Sequence, residues 1–177
     1  MYNYSMLQLS EALLNKPVLS LRSGGTVAWI VEPIFNPNNL KLEGFYCDDT
    51  IDKKRLILLC QDIRELSSQG FIIDDHDVLA QPRDLVRLKS ILNLHFELLK
   101  KPVVTVSKDK IGKISDYAIE TDTMYVQKLY ASRSILRNLA SGSLSIDRSQ
   151  IIEITSNKII INDLLQGTPS PVAAGIA

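Results

Sequence analysis

The 177-residue chain reads as a mainly β protein made of two tandem small units joined by a helix. Three observations predict this. First, Leu13-Leu14-Asn15-Lys16-Pro17-Val18 returns as Leu98-Leu99-Lys100-Lys101-Pro102-Val103, the same at five of six positions and displaced by 85 residues. A second stretch, Asp62 to Asp75, returns as Gln150 to Asp163, displaced by 88 residues with six identities in fourteen. A period of this length exceeds that of solenoid repeats and suits a pair of complete small domains. Second, each half is a series of short β-branched and aromatic runs separated by turn residues. Third, only one segment, after Pro82, has sustained helical spacing.

Taking the elements in order, Leu7, Leu9, Leu13 and Leu14 suit one or two helical turns before Pro17. Pro17–Leu21 is a short strand, and Ser23-Gly24-Gly25 is a turn in which glycine supplies positive φ. Thr26–Phe35 carries Val27, Trp29, Ile30, Val31, Ile34 and Phe35, a strand composition. Pro33 within it cannot donate to a ladder and marks a bulge or an edge. Asn36-Pro37-Asn38-Asn39 is turn chemistry, and Leu40–Tyr46 begins with the alternation of a half-buried return strand. Arg55–Cys60 is nearly all apolar and is predicted to be central. Ile63–Ser67, Ser68-Gln69-Gly70 and Phe71–Ile73 form a last hairpin. Short strands with regular turn signals indicate a small barrel or sandwich.

Beyond Pro82, Leu85, Val86, Leu88, Ile91 and Leu92 recur at helical spacing, and Pro82 fits a first helical turn. This predicts a linker helix of about three turns whose apolar stripe, with Leu85, Leu88 and Leu92, is buried. The second half repeats the plan with Val103–Ser107, Ile111–Glu120, a Thr121-Asp122-Thr123 turn, Met124–Ala131, Gln150–Thr155 and Ile159–Asn162. An insertion around Ile135–Ser143 distinguishes it, and the tail from Gly167 to Ala177 is expected to be disordered. The expected domains are 1–80 and 98–165, with a linker at 81–97 and a tail at 166–177.

Composition narrows the function. Apolar residues make up 45% of the chain, as in globular proteins, and the formal net charge is zero, which argues against a strongly basic nucleic-acid binder. The balance hides a split. Residues 1–80 carry 7 Lys/Arg against 11 Asp/Glu, and residues 81–177 carry 13 against 9. The split fits an ordinary solvated surface or a dipolar molecule whose ends prefer different partners. Cys47 and Cys60 form no Cys-x-x-Cys pair and read as small buried residues in a reducing cytosol. Residues 1–15 have neither a basic leader nor a sustained apolar stretch, and no run approaches the ~20 apolar residues that span a bilayer. The expectation is a cytoplasmic protein without membrane insertion.

At this point the residues resemble a known family. Leu-Leu-x-Lys-Pro-Val, then a Gly-rich or Lys-Asp turn, a β-rich segment ending in a polar turn, and a closing Ile-x-Glu-hydrophobic hairpin resemble the PRC-barrel. That family is named for the photosynthetic reaction centre H subunit, and its fold also forms the C-terminal domain of ribosome maturation factors of the RimM type. The second copy matches best, through Leu99-Lys-Lys-Pro-Val-Val104, Ile111-Gly112-Lys113-Ile114 and Glu120-Thr-Asp122. In the first copy the family's glycine is Ala28. The resemblance covers about residues 7–75 and 92–165. It implies two tandem PRC-barrel-like β-barrels joined by a helical linker, used as adaptors on proteins and, in some members, on ribosome-assembly intermediates. A RimM protein itself is disfavoured, since its N-terminal half is a different barrel.

The residues offer little chemistry beside this. Asp74-Asp75-His76-Asp77 is the one metal-like cluster, but the twelve-residue calcium-loop spacing and its glycine are absent, so a solvated turn is expected. His95 stands alone beside Phe96. No nucleophile has a positioned base, and Ser23-Gly24-Gly25 lacks the helix and lysine of a phosphate loop. Neither catalytic residues nor cofactor or metal ligands are assigned, and no enzyme activity is expected. Lys100, Lys101, Lys108, Lys110 and Lys113 crowd the opening of the second unit, with Arg133 and Arg137 further on, the clustering that phosphates need. Trp29, Phe35 and Tyr46 on the first unit and Tyr117, Tyr125 and Tyr130 on the second are candidate aromatic contacts. The sequence thus predicts a protein-interaction adaptor, with a ribosome- or RNA-associated maturation factor as the alternative.

Overall fold

The computed structural model describes residues 6–133 and 143–163. The predicted insertion, apart from Ser143, and the predicted tail lie outside those residues. The first repeat contains β2 (Pro17–Ser20), β3 (Thr26–Asn36), β4 (Lys41–Asp49), β5 (Arg55–Leu59), β6 (Ile63–Ser67) and β7 (Gly70–Ile73). The second contains β8 (Pro102–Thr105), β9 (Lys110–Glu120), β10 (Tyr125–Arg133), β11 (Ser143–Asp147), β12 (Ile151–Ile154) and β13 (Ile159–Ile161). An additional short strand, β1 (Leu7–Leu9), precedes both, followed by the one-turn helix α1 (Ser10–Leu13).

The two repeats have one topology. In the first, β2 pairs antiparallel with β3, β3 with β4, β4 with β5 and β6 with β7, and β2 lies parallel to β7. In the second, β8–β9, β9–β10, β10–β11 and β12–β13 are antiparallel and β8–β13 is parallel. The likeness extends to single residues. The bulges at Val31 on β3 and Glu43 on β4 recur at Ser115 on β9 and Gln127 on β10. Ile30 N–H donates to the Lys16 carbonyl and Ile114 N–H to the Lys101 carbonyl, both at 2.9 Å. Asn15 and Lys100 occupy matching left-handed positions, at φ 57° and 65°. Equal apolar patterning and equal turn geometry have built equal sheets.

The repeats join through a local twofold exchange. Leu42 N–H donates to the Met124 carbonyl (2.8 Å), and Val126 N–H donates to the Leu40 carbonyl (3.1 Å). Leu40 and Met124 are equivalent, left-handed residues at the starts of β4 and β10, with φ 53° and 60°. The Arg148 guanidinium reinforces the joint, donating to the Val126 carbonyl at 3.0 Å and the Asn39 carbonyl at 2.6 Å while lying over the Tyr125 ring. Among the described residues all thirteen strands therefore belong to one mixed sheet, and its main path from β12 to β6 is open rather than closed. One apolar cluster runs through both repeats, from Val18, Phe45 and Phe71 to Val126, Leu129 and Ile161. The two repeats therefore share their main apolar core, beside a smaller cluster of Ile34, Ile57 and Leu92.

Several elements differ from expectation. Leu7–Leu9 is a strand on the Ala118–Glu120 edge of β9, because tertiary pairing outweighs its local leucine spacing. β5 is peripheral, paired with β4 and with Ala80 through a lone bridge at Ile57. The linker covers its Ile57, while Leu56 and Leu58 belong to the main core. The linker is not a three-turn helix. It has 3-10 turns at Pro82–Asp84 and Val86–Leu88, separated by the non-helical Leu85 (ψ 68°), and then α2 (Lys89–Leu94), stopped by left-handed His95. Leu92 is buried against Ile34 and Ile57, but Leu85 and Leu88 are only partly covered and Val86 is exposed. β11, which no strand expectation covered, pairs with β10. Among the described residues no helix is long and apolar enough to cross a membrane.

β1 and α2 show where the repeats part. Thr121 N–H donates to Met6 across the β1–β9 edge, so by alternation the amides of Tyr117 and Ile119 face the same way. The equivalent positions on β3 are Pro33, Phe35 and Pro37. Two of the three have no N–H to offer, and the segment matching β1, Leu92–Leu94, is helical instead. The edge of β3 beside it is left without a strand.

Candidate interaction surfaces and the cleft between the repeats

The outer face of the first sheet is set by register. Trp29 lies opposite Pro17 on β2 and Asp48 on β4, and the next row joins Thr26, Leu19, Ile72 and Glu65. Their alternates Val18, Phe71 and Ile73 point into the core. Trp29 is 48% exposed, on a face where Leu19 and Ile72 are half-buried. In the second repeat, the same register places Lys113 opposite Pro102 and Lys110 opposite Val104, with Ile160 and Glu153 completing the row. Lys113 therefore holds the position of Trp29, and Lys110 that of Thr26. One scaffold presents an aromatic face in the first repeat and a cationic one in the second.

The predicted site residues divide accordingly. Lys108, Lys110 and Lys113 are exposed on the β8–β9 hairpin, and Lys100 is exposed nearby. Lys101 does not belong with them. It is 9% exposed, its Nζ donates to the Ser156 carbonyl at 2.7 Å, and it lies 4.4 Å from the centre of the Phe96 ring. A lysine tied down in this way fastens the β12–β13 hairpin to the linker and is unavailable to phosphate. Phe35 and Tyr117 are not surface contacts either. They are core residues packed edge to face at 5.1 Å across the repeat junction. Tyr46, Tyr125 and Tyr130 are half-buried. Arg137 lies outside the described residues.

The acidic turn around His76 is internally satisfied. Arg64 grips Asp74 through two 2.7 Å bonds, and Arg22 meets Asp75 at 2.8 Å. His76 Nε2 lies 2.9 Å from Asp49, whose residue is only 3% exposed. Among the described residues no group of three His, Cys, Asp or Glu side chains converges as a metal site would. Burial alone would raise the Asp49 carboxyl, but the amides of Asp52 and Ile51 together with His76 outweigh it and hold the group below its usual range. A carboxyl lowered on folding stabilises the protein above the unfolded value near ~3.9, and the benefit is lost as pH falls through the folded value. Asp49→Asn should therefore melt well below the wild type at pH 6, with the gap closing below about pH 4. Melting curves across pH 3–7 check this, and a constant gap would refute it.

Sequence reasoning missed a cleft at the junction. It has a volume of about 270 Å³ and is walled by Leu14 from the first repeat, Val31 and Phe35 on β3, Phe96 and Leu98 from the linker, and Tyr117 on β9. Glu32, Glu97 and Lys100 stand at its rim. Across Glu32, Pro33, Phe35 and Phe96 it adjoins a second hollow of about 290 Å³ that reaches Tyr46 and Leu92. Residues far apart in sequence meet here, so no local pattern announces the site. The nearest signals were Pro33 and Phe96, each read as a local feature. Compared with known proteins, the chain matches no protein-family model and no curated protein.

Proposed function

We propose that the chain is a non-catalytic protein-interaction module, a tandem of PRC-barrel-like repeats whose first repeat docks a partner through the face centred on Trp29. Each six-strand unit is read as a curled sheet of that kind, its last hairpin joined to the strands before it by one short turn, at Cys60–Asp62 in the first repeat and Arg148–Gln150 in the second. The observation that carries the docking role is the half-exposed Trp29 on a regular sheet face, where the equivalent residue is a lysine. An exposed tryptophan amid other apolar groups marks a contact surface, since such residues dominate binding energy at interfaces. A cytoplasmic setting suits the free thiols Cys47 and Cys60, which burial pushes up to about 12.

The exposed Lys108, Lys110 and Lys113 favour a second reading, ribosome or RNA association through the second repeat. Trp29→Lys, which copies the second repeat's residue, separates the two. The variant should melt within a degree or two of the wild type and lose a captured protein partner that persists through nuclease and 0.5 M salt. Phosphate contacts behave oppositely, weakening steeply with salt. Capture unchanged in Trp29→Lys would end the docking reading. Nuclease-sensitive co-sedimentation with ribosomal particles, lost in a Lys108→Glu, Lys110→Glu, Lys113→Glu variant, would replace it with the second.

A further inference from the structure

We infer that the outer edge of β12 is a docking site for an extended, basic peptide segment of a partner protein, which adds a strand beside Ile151–Ile154 and sets a Lys or Arg against Glu153. β12 ends the sheet, so among the described residues it has a neighbour, β13, on one side only. Thr155 N–H donates inward to the Lys158 carbonyl. Alternation along an antiparallel strand then turns the N–H and C=O of Ile154 away from β13, and those of Ile152 likewise. A row of unpaired main-chain groups is a template for another strand, which brings donors and acceptors at the same spacing. That fixes the class of occupant, since a helix has no free row of this kind to offer.

The space beside this edge is preformed. A groove of about 430 Å³ separates β12 from the Pro37–Leu40 turn of the first repeat, and Ile151, Ile152, Glu153 and Ile154 all border it. Side chains on a strand alternate between faces, so four consecutive residues reach one space only along the strand's edge. Arg148 opens the turn that leads into β12, and its 2.6 Å bond to the Asn39 carbonyl ties that turn to the far wall. A site already held open spares binding the cost of ordering it.

The repeats differ at this edge. In the first, the matching strand is β6, and its bulge residue Arg64 is exposed and bound to Asp74. A charge on an edge strand discourages pairing. On β12 the bulge residue is Ile152, 56% exposed, so the second edge carries no such guard. Glu153 beside it is exposed. The Arg148 guanidinium is engaged at the junction, on the Val126 and Asn39 carbonyls and the Tyr125 ring, which leaves Glu153 as the charge that meets an incoming strand. Opposite charges across a strand pair are favoured and like charges disfavoured, so the occupant is basic there.

The probes are two pentapeptides, acetyl-Val-Arg-Val-Arg-Val-amide and its counterpart with Glu for Arg, titrated at millimolar concentration into the full ¹⁵N-labelled chain. The arginine peptide is expected to shift the amides of Ile152, Ile154 and Asn39 and to slow hydrogen exchange at Ile154. It should bind roughly two- to fivefold more tightly than the glutamate peptide, the margin of one cross-strand ion pair. Glu153→Lys, a change at an exposed position, should reverse that order. The arginine peptide methylated on every backbone nitrogen cannot pair with a strand and should not bind. Trp29→Lys should leave all of this unchanged, so the result stands or falls apart from the docking role of the first repeat. No binding of the arginine peptide, shifts centred elsewhere, equal binding of the methylated peptide, or an order that Glu153→Lys fails to reverse would overturn the proposal. So would an Ile154 amide already protected in the free chain, because a further segment of this chain or a second copy would then cover the edge.

Discussion

Phe35→Ala is expected to lower the stability of both repeats together by about 3–5 kcal/mol, the usual range for emptying a buried phenylalanine site. Phe35 is 2% exposed, and its ring meets Tyr117 of the other repeat edge to face. Such aromatic pairs contribute beyond their buried area. Because one apolar cluster runs through both repeats, the loss acts on a single cooperative unit. At about 2–4 °C per kcal/mol for a chain of this size, the melting temperature should fall by about 6–20 °C. Calorimetry should show one peak in wild type and variant, with calorimetric and van't Hoff enthalpies in agreement. Two peaks, only the lower one moved, would mean that the repeats fold as independent domains.

Gly70→Ala should be comparably severe, for a reason of backbone geometry rather than of packing. Gly70 opens β7 with φ at 143°, which an L side chain rarely adopts, and a methyl group there would overlap the Pro17 carbonyl oxygen and come within 2.9 Å of its ring. Strain of this sort costs about 1–3 kcal/mol, and overpacking adds a similar amount. The β2–β7 parallel pair depends on this close approach. The corresponding residue of the second repeat is Lys158, so the constraint belongs to the first repeat alone. Urea unfolding that gives Gly70→Ala the wild-type midpoint would show that the turn shifts freely.

The repetition and most of its strands are legible in the residues alone. Two motifs at offsets of 85 and 88 residues mark equivalent positions that hydrogen bonds then join in equal ways, because the Lys-Pro-Val opening and the closing hairpin are local patterns whose geometry follows from residue type. The exposed lysine hairpin was legible for the same reason, since alternation on a strand fixes which face a residue takes.

What tertiary structure alone decided is how the repeats meet. Arg55–Leu59 looks central in sequence because it is apolar on both faces, yet it is peripheral, with Leu56 and Leu58 in the main core and Ile57 under the linker. Leu7 and Leu9 belong to a leucine-rich run that suits helical turns, yet β9 offers them an edge. Lys101 sits in a basic run, yet its ammonium is spent on the Ser156 carbonyl and the Phe96 ring. Phe35 and Tyr117 look like surface aromatics on two units until a shared core encloses both. Each difference concerns a contact between segments far apart in the chain. Pattern and propensity report what a residue needs, burial or a partner; which distant element supplies it is settled only when the repeats pack together.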